Sequence, residues 1–184
     1  MNGYAAMPSK PRVYIDSCGF IDAVKQAVNK LPSDRDADVW HIKKLLEAHR
    51  NGDVSVVTSY LTIAECVAIE PGQAKVPEEI QEQFRRLLSA GQYVALLQQT
   101  PRTAKIAQNF RWQHNLVFAG PDALHFAAAI EASVDEFLTT DERLKKPKVA
   151  AVVDALSAIG LRLIRGAATG CLPSSYRQED ILNG

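Results

Sequence analysis

The chain has too few cysteines to be held together by them. Cys18, Cys66 and Cys171 are an odd number and form no Cys-x-x-Cys pair, which argues against a disulfide framework and a zinc-thiolate site and fits a reducing compartment. A surplus of one charge is also missing. Lys plus Arg and Asp plus Glu number 21 each, so the average charge attracts no polyanion, and any nucleic-acid contact must come from local clustering. No apolar leader core stands before Arg12, and the Ala-rich stretches are interrupted by Glu131, Asp154 or Arg162 well short of a membrane span. The expectation is a soluble, unexported, cytoplasmic protein. No internal repeat or linker divides the chain, so one domain is the simplest count.

What is present is ordinary globular material, 47% hydrophobic and 23% charged over 184 residues, enough for one real core. Val13, Tyr14 and Ile15 form a short apolar run, and Phe20, Ile21, Val24 and Val28 follow at helical spacing. Pro32 breaks this pattern. Val39, Ile42, Leu45 and Leu46 mark a second helix closed by Asn51-Gly52, and a strand is expected over 54–58. Helical spacing returns over 61–69 and from Pro77 to Gly91, with Glu78 and Glu79 where the helix dipole favours acids. A strand at 93–97 precedes Thr100-Pro101, an N-cap with proline at the first helical position, for a helix reaching about His114. Gly120-Pro121 opens a helix whose Leu124, Ala127, Ala128 and Ala132 face is small enough to pack closely on a sheet. A strand at 136–139, a helix at 149–159 and a strand at 161–164 complete an α/β pattern with a mostly parallel sheet. From Gly166 onward Gly, Ser and Pro increase, and a loose tail is expected.

Four carboxylates, Asp16, Glu65, Asp122 and Asp141, stand at or just beyond joins between apolar segments and helix starts. A parallel sheet brings such joins to one edge, where acids distant in sequence can converge around a hard cation.

Three segments carry a resemblance. They are Val13-Tyr14-Ile15-Asp16-Ser17, then Thr58-Ser59-Tyr60-Leu61-Thr62-Ile63-Ala64-Glu65, then Pro121-Asp122-Ala123-Leu124 continuing to Leu138-Thr139-Thr140-Asp141. In order and approximate spacing they resemble a PIN domain, and in its bacterial setting the chain is similar to VapC-type toxins of type II toxin–antitoxin pairs. The resemblance covers 12–165, leaving 1–11 as an N-terminal extension and 166–184 as a C-terminal tail. It implies a three-layer sandwich around a five-stranded parallel sheet, with Asp16, Glu65, Asp122 and Asp141 at its carboxyl edge holding Mg²⁺ or Mn²⁺ for cleavage of single-stranded RNA. Asp16 and Asp122 would be the core ligands, Asp141 a second-site or water-mediated ligand, and Glu65 a ligand or water-positioning base. Thr139 matches the family's hydroxyl position. A cognate antitoxin, held in a groove of the apolar helices after Asp16 and Asp53, and a homodimer are the implied partners.

One departure stands inside the site. The family usually has Ser, Thr or Asn two residues after the first acid, and here that residue is Cys18. A thiol is a poor partner for a hard ion's water shell, so Ser17 takes over or the site is weakened. The chemistry itself asks for little else. A divalent ion neutralises charge on the phosphoryl group and lowers the pKa of water, so no protein nucleophile is needed.

Each acid also has an ordinary explanation. Asp16 is a potential helix cap, Thr62 to Glu65 fits a capping box, Asp122 sits where the dipole favours an acid, and Asp141 suits a turn. His125 reads as a packed or hydrogen-bonded histidine rather than a base. Lys43-Lys44, Arg85-Arg86 and Lys145-Lys146 read as solvated faces, and Trp40 and Trp112 as packing. Two other functions are open: a PIN-like module that binds RNA or protein without cleaving, and a phosphoryl-transfer enzyme with an aspartyl nucleophile at Asp16. The second lacks an acid two residues on and ranks last.

Overall fold

Val13, Tyr14 and Ile15 are all fully buried, although successive strand side chains point to opposite faces. A sheet carrying them must be covered on both sides. The computed structural model, which describes residues 10–89, 91–141 and 147–177, has that form. Strands β1 (Arg12–Ile15), β2 (Ser55–Ser59), β3 (Ala95–Leu97), β4 (Glu136–Leu138) and β5 (Leu163–Ile164) are all parallel, in the order β3-β2-β1-β4-β5. The helices are α1 (Ser17–Ala27), α2 (Asp36–Asn51), α3 (Tyr60–Glu65), α4 (Glu78–Leu87), α5 (Pro101–Trp112), α6 (Gly120–Glu131) and α7 (Pro147–Ala158).

The alternation of the strands sorts the core into two layers. Val13, Ile15, Val56 and Leu138 join Phe20, Val24, Ile42, Leu45 and Phe84 on the α1, α2 and α4 side. Tyr14, Val57 and Phe137 join Phe110, Phe126, Ala127 and Leu156 on the α5, α6 and α7 side. The expected three-layer sandwich is present. Because the chain builds outward from β1 through β2 to β3 and then returns to β4 on the other side, its switch point lies between β1 and β4. Crevices open there, outside the carboxyl ends of the strands.

Several local expectations change. The helix expected over 61–69 stops at Glu65, because Cys66 turns the chain and buries itself and Ile69 in the core. The helix expected to reach Gly91 ends at Leu87, and the outer strands are shorter than their apolar runs. The apolar faces of α1 and α2, expected to form a partner groove, are spent on the sheet through Phe20, Val24, Ile42 and Leu45. Lys145, Lys146 and the extension through residue 9 lie outside the described residues, as does the end of the tail from residue 178.

The loose tail is also corrected as far as Arg177. Buried Asp38 on α2 accepts hydrogen bonds from Arg165 Nε at 2.7 Å, from Arg165 Nη2 and from the Ala167 amide at 2.9 Å. Buried Glu136 accepts from Arg162 Nη1 at 2.6 Å, Thr169 Oγ1 at 2.6 Å and the Gly170 amide at 2.9 Å. Leu172 then enters the core. At Gly166 a Cβ would stand 2.4 Å from the Asp38 carbonyl oxygen, so only glycine lets the tail lie this close to α2. The Gly and Ser content that suggested looseness supplies tight turns instead.

Candidate active site

Asp16 follows β1 directly and caps α1. Its Oδ1 accepts from the Gly19 amide at 3.1 Å, and its own amide donates to the Leu138 carbonyl at 3.2 Å, tying it to β4. The turn is tight: a Cβ at Gly19 would stand 2.7 Å from Ile15 Cγ2. So Asp16 is a cap, as its ordinary reading says, and it also faces the crevice.

At the end of β4, the Thr139 hydroxyl accepts from the Asp141 amide at 3.1 Å and bonds the Asp16 carboxylate. One buried hydroxyl thereby positions both acids of the switch point. Glu65 ends α3, just after β2, and its carboxylate takes hydrogen bonds from His125 and from the Ser17 side chain. Asp122 lies in the first turn of α6, whose N-terminus is at the carboxyl edge of the sheet. Asp16, Glu65, Asp122, Asp141, Thr139 and His125 all line one pocket of about 290 Å³, with Cys18, Val117, Phe118 and Phe126 among its other walls. All the acids singled out in the sequence meet there.

Their electrostatics differ. Burial pushes the Asp16 pKa up to about 6, and the Asp141 charge adds to this against the hydrogen bonds from Thr139 and Gly19. Glu65 is held below the usual carboxylate range, first by the hydrogen bond from His125. One acid of the pocket therefore retains its proton to mildly acidic pH while another stays ionised.

The sequence reading undervalued His125 and passed over Tyr14 as a functional residue. His125 is buried, with Nε2 2.7 Å from Glu65 Oε2 and Nδ1 2.7 Å from Tyr14 Oη, which accepts from the Ser59 amide at 3.2 Å. One assignment satisfies every atom. With a neutral ring, Nε2–H donates to Glu65 and Tyr14 O–H donates to Nδ1. Burial pushes the tyrosine pKa up, which keeps that proton in place. The chain of bonds fixes the Glu65 carboxylate against the core of the sheet. Its signals in the sequence were weak: a tyrosine inside a buried strand needs a hydroxyl partner, and His125 follows Asp122 by three residues, on the same helix face.

The donor set suits a hard divalent ion. Among the described residues, no three His, Cys, Asp or Glu side chains are drawn together as a closed metal cluster. The acids instead surround open space, and Mg²⁺ keeps several waters and needs only one or two direct carboxylates. Cys18 lines the same pocket, while Ser17 supplies the hydroxyl to Glu65.

The sequence model of the PIN domain matches residues 13–150 of this chain. Among solved structures, VapBC2 from Rickettsia felis, bound to a DNA fragment from its promoter, superposes with a TM-score of 0.53 at 14% identity, covering 83% of this chain and 97% of that one. FitAcB from Neisseria gonorrhoeae matches at 15% identity with a TM-score of 0.48, covering 85% of this chain and 99% of that one. At such identities the likeness concerns the fold. No curated protein matches the chain in sequence.

Proposed function

Because the chain belongs to the PIN domain family, we propose that it is a metal-dependent endoribonuclease cutting single-stranded RNA, the toxin of a type II toxin–antitoxin pair. The observation that carries this reading is the convergence of Asp16, Glu65, Asp122 and Asp141 on one pocket at the switch point of the sheet. In it, Asp16 and Asp122 hold Mg²⁺ or Mn²⁺, Asp141 reaches the ion directly or through water, and Thr139 aims Asp16. When bound, the ion neutralises charge on the phosphoryl group and acidifies water. Glu65, kept ionised by His125, orients the attacking water and accepts its proton. The side-chain bond from Ser17 to Glu65 supports the view that Cys18 does not abolish turnover.

A cognate antitoxin and a second copy of the chain complete the reading. Ile63 and Val67, 42% and 64% exposed, border an apolar groove of about 800 Å³ with Phe84 and Leu88, a surface such a partner would cover. Among the described residues, no helix is long and apolar enough to cross a membrane. The cytoplasm, where RNA and antitoxin are both at hand, is the compartment this reading requires.

The test is cleavage of single-stranded RNA by the purified chain. We expect cutting with Mn²⁺ or Mg²⁺, none in EDTA, and a loss of about a hundredfold or more in Asp16→Asn and in Asp122→Asn. Undiminished cutting in chelator, or by both variants, rejects the reading. Tight RNA binding with no cleavage under any divalent ion selects the binding-module alternative, in which Cys18 has cost the site its turnover.

A further inference from the structure

The acid pocket opens into a second one. A cavity of about 430 Å³ between α1 and the loop 66–72 shares Cys18, Glu65 and Asp141 with it. One wall is apolar, at Ile21, Val67 and Pro71. Another is a charge cluster in which Asp22, 1% exposed, accepts from Arg35 Nη1 at 2.9 Å and Lys25 Nζ at 3.4 Å, two cations against one carboxylate.

Thr140 completes the lining. Its side chain is fully buried, and its hydroxyl has no hydrogen-bond partner among the described residues. A buried polar group left so costs about 1–3 kcal/mol, and a valine of the same shape would remove that cost. The fold thus holds a hydroxyl in this pocket that pairs with nothing of its own. Such a group calls for a partner from outside.

An aliphatic wall for a flat ring, a hydroxyl for a heteroatom edge and a net positive cluster for an attached phosphodiester are together the chemistry of a nucleotide. Whatever binds there lies against Glu65 and Asp141. We propose that this pocket receives the nucleoside next to the scissile phosphate in single-stranded RNA and gives the enzyme its base preference. The inference rests on the nuclease reading for the word scissile, and on the pocket's own lining for the nucleoside.

The test has two arms. In EDTA, each of the four ribonucleoside 5′-monophosphates is titrated into the isotopically labelled chain. At least one should shift the amides of Val67, Gly72 and Thr140, with affinity reduced about five- to tenfold in Thr140→Val, the loss of one buried hydrogen bond. Val67→Glu, at an exposed position that does not risk the fold, should weaken it further. On random-sequence RNA with Mn²⁺, cut sites of the wild type should show a base preference at one flanking position that flattens in both variants. Silent amides with all four nucleotides, or a preference unchanged in both variants, overturns the proposal. Amides that respond while the wild type cuts no RNA leave the nucleoside site standing and remove the nuclease reading instead.

Discussion

Asp38 and Glu136 are buried against arginines, whereas Asp16 is partly buried beside another acid. The first two fasten the tail, each meeting a guanidinium and a backbone amide. Asp16 has Thr139 and Gly19 for hydrogen bonds but feels the charge of Asp141, and its proton is held up to about pH 6. The same side-chain chemistry serves stability in one region and stores repulsion in the other. What separates them is the sign of the nearest charge.

The largest expected effect breaks the contrast on the structural side. Asp38→Ala leaves Arg165 facing a partly buried gap and frees the Ala167 amide, at a cost of about 3 kcal/mol in urea unfolding. Asp16→Asn keeps the cap acceptor and removes like-charge repulsion, so its stability should be unchanged or about 1 kcal/mol higher. Equal destabilisation by the two variants would erase the distinction drawn here.

A smaller effect follows from the raised Asp16 pKa. The folded state holds this proton to about pH 6, against an ordinary value of 3.8. The metal-free chain therefore has the whole of this contribution in acid and loses it as pH rises through 6, on the order of 2 kcal/mol relative to Asp16→Asn. Mn²⁺ binding, which competes with the same proton, should weaken below about pH 6. Parallel stability profiles for wild type and Asp16→Asn in EDTA would show that Asp16 is not perturbed.

The smallest effect sharpens the functional side. Tyr14→Phe removes the donor to His125 and leaves Glu65 less firmly aimed, while every acid remains. We expect kcat to fall about tenfold with KM little changed, and a stability loss of about 1 kcal/mol. A fall in stability with no change in kcat would make the chain from Tyr14 to Glu65 purely structural.

The sequence revealed the acid row well because its signals are local. A carboxylate after an apolar run, a Gly-Pro helix start and a hydroxyl two residues before Asp141 are each readable within one segment. The strand alternation was legible too, and with it the two-sided sheet. Contacts between distant segments were not. His125 meets Tyr14 across 111 positions, and neither residue type announces its partner. Thr140 looked like a neighbour of Thr139, and only packing shows that one hydroxyl bonds two acids while the other faces a separate cavity. The tail was misjudged for a related reason: Gly166, Thr169 and Gly170 resemble a flexible run until Asp38 and Glu136 are placed opposite them.

The position of β1 sets a timetable for synthesis. It leaves the ribosome first, yet it is the middle strand and pairs with β4, Val13 against Glu136 and Ile15 against Leu138. Asp16 borrows its anchor from Leu138 and its aim from Thr139. A nascent chain halted anywhere before these residues emerge carries the first acid without the geometry that arms it. If the protein cuts RNA, a translating ribosome is thereby spared the activity of its own unfinished product.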